Sequence, residues 1–160
     1  MASSMGEIDK NIFETHNCIN IGVIRTEFVD FFNSHGLNNV LKYNTPIVFW
    51  EDRVKHTDEH KDDFMSDIMY QMCFKEIPDI IYRPDYIGIH PKKKSISFIR
   101  DYTSNHINVA IRVTISGGLA YRTMYPLMDA TLTHYIDTKH AWKVEYNGDG
   151  TPIIIDKIEN

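Results

Sequence analysis

The sequence predicts an α+β fold, with N-terminal helices packed on one face of an antiparallel sheet. Three observations carry this. Apolar positions recur at helical spacing up to Pro78; the chain then turns to runs rich in Ile, Val, Tyr and Phe; and short turn segments separate those runs at hairpin spacing. The 160 residues suit a single domain that can bury a core without disulfide or metal staples.

Residues 1–20 are polar and mixed, with no period, and are expected to form a flexible terminal segment ahead of one domain over 21–160. Ile24, Phe28, Phe31 and Phe32 predict a helix between Ile21 and His35, stopped at Gly36. Asn38 to Pro46 reads as loop, and Ile47–Trp50 is too short to classify by period. His56, His60, Phe64, Ile68 and Met72 lie four apart, which predicts a long helix over Glu51–Phe74, with a break near Thr57 as the alternative and Pro78 as its end. Strands are predicted over Ile80–His90, Ser95–Tyr102, His106–Thr114 and Leu119–Tyr125, a four-stranded meander. Val109, Ile111 and Val113 alternate with Ala110 and Arg112, so one face is apolar and the other polar. A helix over Leu127–His140 and a last hairpin, Trp142–Tyr146 with Pro152–Ile155, complete the chain.

Composition is that of an ordinary globular protein, 42% hydrophobic and 24% charged. No apolar run reaches membrane-spanning length, and no signal peptide opens the chain. Cys18 and Cys73 stand apart, which argues against a disulfide framework or a cysteine zinc site and for a reduced, intracellular setting. Net charge is −5, unlike a generic nucleic-acid coat. From His90 to Thr123, however, six basic residues face one acidic residue, a balance of +5 that leaves −10 on the remainder. A local anion site needs no high isoelectric point.

Two clusters can carry chemistry. His56 and His60 are one helical turn apart and, near a phosphate, suit general base and general acid. On the residues alone, a capping or core-edge role outweighs catalysis, and H-T-D-E-H is not the zinc-binding H-E-x-x-H arrangement. The second cluster is Tyr121-Arg122-Thr123-Met124-Tyr125, where an arginine can clamp a phosphate and the hydroxyls can orient it. A two-residue turn at 116–118 puts Thr123 with Tyr121, Tyr125 and Arg112. A three-residue turn brings Arg122 to Arg112's side, and a bulge exposes both Arg122 and Thr123. Lys55, Arg53, His90, Arg100 and His106 are weaker candidates. No phosphate-binding glycine loop, nucleophile elbow or acidic metal cluster is present in the sequence.

The segments TPIVFWEDRVKHTDEH, IPDIIYRPDYIGIHP, SISFIRDYT, VAIRVT and YRTMYP together resemble the phage-encoded branch of the Barnase–EndoU–Colicin–RelE ribonuclease superfamily, over about residues 45–127. His56, His60, Thr123 and Tyr125 stand at the positions matching its motifs. The resemblance implies a central four- to five-stranded antiparallel sheet. It also implies metal-independent RNA cleavage without a cofactor, often of tRNA, by toxins of phage or bacterial conflict. His56, His60, Arg122, Thr123 and Tyr125 would then be catalytic. Lys55, Lys92, Lys93, Lys94, Arg100, Arg112 and Tyr121 would bind substrate. The setting would be the cytoplasm of a bacterial host or target cell, and an immunity or antitoxin protein is implied as a partner. A different class of reading is a non-catalytic phage-encoded binding protein on the same scaffold, acting on a bacterial protein or RNA. A zinc hydrolase built on His56 and His60 is the third.

Overall fold

Alternation along the central strands sets the architecture. The computed structural model describes residues 6–103 and 105–156; the MASSM opening lies outside them. The strands are β1 (Cys18–Asn20), β2 (Ile47–Trp50), β3 (Tyr86–Ile89), β4 (Ser95–Tyr102), β5 (Asn105–Val113), β6 (Leu119–Leu127), β7 (Ala141–Tyr146) and β8 (Pro152–Ile155). They form one sheet in the order β1-β2-β6-β5-β4-β3-β7-β8, antiparallel throughout except for the β2–β6 pair. The helices are α1 (Thr26–Phe32), α2 (Asp52–Asp58), α3 (Asp67–Lys75), α4 (Ile77–Tyr82) and α5 (Asp129–Asp137).

One sheet face is the core. Ile107, Val109 and Ile111 of β5, with Ile96 and Phe98 of β4, are completely buried. Phe28 and Phe32 of α1 set their rings 6.3 and 6.0 Å from that of Phe98, and α3 and α4 add Tyr70, Phe74, Ile77 and Ile80 to the same cluster. The opposite face carries Ser95, Ser97, Asn108, Ala110 and Arg112 in register across β4 and β5. Among the described residues, one end of it is roofed, where Leu132 of α5 packs with Ile99, Leu127 and Ala141. The uncovered remainder is the floor of a cleft. Among the described residues, no helix is long and apolar enough to cross a membrane.

Several expectations are corrected. The sheet has eight strands, not four or five, because β1–β2 extends one edge and β7–β8 the other. Strands β1 and β2 also lie among the helices, so the chain does not run helices first. Residues 6–20 are folded in: Ile8 and Phe13 are buried, and the Phe13 ring lies 5.1 Å from that of Phe49. The first helix is shorter than predicted and ends in a kinked turn over Asn33–Leu37, where Gly36 has φ +143°.

Of the two readings of Glu51–Phe74, the structure adopts the break near Thr57, and the segment forms two helices. α2 ends at Asp58, a single tight turn spans Lys61–Asp63, and Ser66 caps α3 by accepting the Met69 N–H at 3.1 Å. The new cap resets the helical phase. Phe64 is buried, but Ile68 is 83% exposed and Met72 also faces out, while Tyr70, Cys73 and Phe74 turn inward. The strand predicted over Ile80–His90 is α4 followed by β3. Pro78 sits in the first turn of α4 rather than ending its predecessor. Burial of Ile77, Ile80 and Ile81 outweighs the weak helix preference of β-branched residues.

Candidate active site

A β-bulge builds one wall of the cleft. β5 and β6 pair from His106–Leu127 up to Ala110–Thr123, but Ile111 then pairs with Tyr121, so Arg122 is the extra residue. Of the register alternatives, the bulge is the one adopted. Tyr121 faces the core, Thr123 and Tyr125 face the cleft, and Arg122 is exposed at the rim. The carbonyl of Arg122 is taken up by Nε of Arg53 on α2, at 2.8 Å.

Buried bonding fixes α2 on β6. The Thr57 hydroxyl donates to the Arg53 carbonyl at 2.8 Å and meets the Tyr121 phenol at 2.7 Å. Thr57 is completely buried, and its neighbour His56 projects at the cleft beside Arg122.

The cleft holds about 480 Å³. His56 and Arg122 line one side; His90, Lys92 and Lys94 come from the β3–β4 turn; Ser95, Ala110, Thr123 and Tyr125 lie along the sheet. Thr123 is 7% exposed and its Oγ1 has no hydrogen-bond partner. Asn108, on the same face, is 2% exposed with Oδ1 equally unpartnered. Buried polar atoms are normally satisfied, so the orphaned Thr123 hydroxyl on the cleft floor points to a polar ligand, while Asn108 lines an adjoining cavity that shares Ser95, Ala110 and Tyr125 with the cleft. Burial pushes the Tyr125 phenol up, which keeps it a protonated donor.

Electrostatics keep both cleft imidazoles readily neutral. Burial lowers His56, the cations Arg53 and Arg122 and the neighbouring His60 lower it further, and Glu59, at 3.7 Å, opposes them. Burial also lowers His90, assisted by Arg122, Lys92 and His140. His90 Nδ1 accepts the Lys92 N–H at 3.1 Å, so the neutral ring carries its proton on Nε2.

The remaining candidates separate. His60 stands beside the cleft, its ring 5.7 Å from His56 and 5.8 Å from Tyr125, with Nδ1 3.2 Å from Asp63. It lines an adjoining depression that also contains Asp63 and Asp129. Arg112 lines a trough on the other side of Arg122. Lys55 is exposed on α2 and is not among the residues lining the cleft. Lys93 turns toward Gly36, its Cε 3.6 Å from where a Cβ would stand there.

Two substrate-binding assignments are overturned. Arg100 points to the core side, where it donates to the carbonyls of Asp79 and Arg83 at 2.9 Å and pairs with the Asp79 carboxylate. Tyr121 is buried, its ring 4.0 Å from that of Phe49. Sequence reasoning gave His90 too little weight: alternation left it at a strand end, and only the hairpin carries it to the cleft that His56 lines. Asn108 was not singled out, although it stands among the polar positions that alternate with Val109, Ile111 and Val113.

The profile of one family, described as phage-Barnase-EndoU-ColicinE5/D-RelE like nuclease3, matches residues 31–134. The chain belongs to this family. The match runs from α1 to α5 and spans every residue lining the cleft, extending the resemblance seen over 45–127. The family is one of nucleases, which points to a nucleic acid as the class of substrate. No curated protein and no solved structure matches it. Among the described residues, no group of three or more His, Cys, Asp or Glu side chains is placed to hold a metal ion.

Proposed function

We propose that the chain is a metal-independent endoribonuclease of the toxin type, cutting RNA through a 2′,3′-cyclic phosphate. One observation carries the reading: the unpartnered, buried Thr123 hydroxyl opens on a cleft shared by two imidazoles and the Arg122 guanidinium. A neutral imidazole, His56, takes the proton of the ribose 2′-hydroxyl. The 2′-oxygen attacks the adjacent phosphorus and the bond to the 5′-oxygen breaks. His90, in the fraction of molecules where it is protonated, gives that proton to the leaving oxygen and becomes neutral, producing a cyclic phosphate and a free 5′-hydroxyl. Arg122, with Lys92 and Lys94, stabilises the charge on the phosphorane, and Thr123 and Tyr125 donate to its oxygens. His60 positions His56 and Tyr125. The nucleophile belongs to the substrate, so the scheme needs no cofactor. Transfer RNA as the target and a neutralising protein in the producing cell are part of this reading, as the resemblance to the superfamily implies.

The test is incubation of the purified chain with total RNA, with and without excess chelator. Cleavage is expected in both, with 2′,3′-cyclic phosphate ends, and substrates carrying a 2′-deoxy sugar at the cut site should resist. His56→Ala should lose at least ~100-fold in rate, the lower range for a general acid–base group, and His90→Ala a similar amount. Cleavage of the deoxy substrate would indicate an external water and a metal-dependent reaction. A well-folded chain that cuts no RNA would be a binding protein on this scaffold.

A further inference from the structure

Beyond Arg122 the cleft continues into a trough of about 790 Å³ that shares His56, Lys94 and Arg122 with the cleavage scheme and adds Trp50, Arg53 and Arg112, which the scheme leaves unused. Arg53, Lys94, Arg112 and Arg122 line it against one carboxylate, Asp52. Among the described residues, none of these four cations is held in an ion pair. Trp50 also lines the trough. It is the last residue of β2; Phe49 before it stacks inward on Tyr121, so alternation sends the indole to the cleft face, 49% exposed. The second tryptophan, Trp142, is buried. An exposed indole beside unpaired guanidinium groups is the combination that holds single-stranded nucleic acid: a flat apolar surface for a base and cations for the backbone.

The other end of the cleft is unlike this one. The depression around His60 carries Asp63 and Asp129, which repel a polyanion. The strand therefore has one favourable exit, past Arg122 toward Trp50.

We propose that this trough is a subsite for the nucleotide flanking the scissile phosphate, with its base stacked on Trp50 and its phosphate held by Arg112. The assignment rests on the cleft holding a phosphodiester, as set out above, and adds that the substrate is single-stranded there, because a paired base cannot leave its stack to meet the indole.

The test uses the intact chain and a non-cleavable probe, a 2′-deoxy tetranucleotide, beside an abasic tetranucleotide of equal charge. The tetranucleotide should quench tryptophan emission saturably, and Trp50→Leu should abolish that quenching. Trp50→Ala should weaken its Kd about tenfold, and Trp50→Tyr should restore most of the loss. The abasic probe should bind without quenching and be indifferent to Trp50→Ala. An unchanged Kd in Trp50→Ala with a wild-type denaturation midpoint would overturn the subsite, as would equal quenching by the abasic probe or equal affinity for a blunt duplex. The probe cannot be cut, so a chain that binds it through Trp50 yet cleaves no RNA would retain the subsite and lose the ribonuclease reading.

Discussion

The hydroxyl of Thr57 and the phenol of Tyr121 meet at 2.7 Å in the buried core, 64 positions apart in the chain. Each is the sequence neighbour of a cleft residue, His56 and Arg122. The bond therefore fixes an imidazole on α2 against a guanidinium on the β6 bulge. Thr57→Val removes one partner and leaves a buried phenol unpaired, at a cost of about 1–3 kcal/mol. Adding Tyr121→Phe should recover part of that stability, because the orphaned group is gone. Cleavage should remain impaired in both variants, since neither holds α2 by that bond. Denaturation midpoints and single-turnover rates over the double-mutant cycle check this; additive stability losses would show that the two groups do not interact.

The rate should depend on pH through the imidazoles. Burial, then Arg53, His60 and Arg122, lower His56 against the opposing Glu59; burial, then Arg122, Lys92 and His140, lower His90. A base must be neutral and an acid protonated, so the rate should follow a bell below the ordinary imidazole value of about 6.5, rising as His56 loses its proton and falling as His90 does. Arg122→Gln removes one cation from both histidines, and its ascending midpoint should shift upward whatever happens to the maximal rate. Stability has the same sign. The unfolded chain takes up protons first, so these two groups reduce stability as pH falls below the ordinary imidazole range toward their folded values. A pH–rate profile of the variant with an unmoved ascending midpoint would show that Arg122 does not act on the base.

Ile111 is completely buried on the helix-covered face, opposite Tyr121. Ile111→Ala should cost about 2–5 kcal/mol in chemical denaturation. An unchanged midpoint would mean that the two faces of β5 are reversed.

Arg100 and Arg112 are both in the basic segment but on opposite faces. Arg100→Gln should lower stability by about 1–3 kcal/mol through its bonds to Asp79 and Arg83, and leave the salt dependence of RNA binding unchanged. Arg112→Gln should leave the fold intact and reduce the slope of log affinity against log salt by about 0.7, the value for one phosphate contact on a single strand. Equal slopes in the two variants would remove Arg112 from the binding surface.

Much of this was legible without coordinates. The alternation of Val109 and Ile111 with Ala110 and Arg112 identified the buried and open faces of β5, because a period of two is a property of the strand alone. The clusters around His56 and Thr123 were likewise visible as residue types at short spacing. Other features were not. Ser66 restarts a helix inside an unbroken apolar period, and α4 carries isoleucines that read as strand until their burial on every side is seen. Which face of β5 is buried and which residue types cluster at short spacing could be read along the chain, since both follow from neighbours a few positions apart. That Arg122 bulges out between Tyr121 and Thr123, that Arg100 turns to the core, and that His90 lines the same cleft as His56 emerges with the folded sheet. Those outcomes depend on pairing energies between segments far apart in the chain, and no local period encodes them.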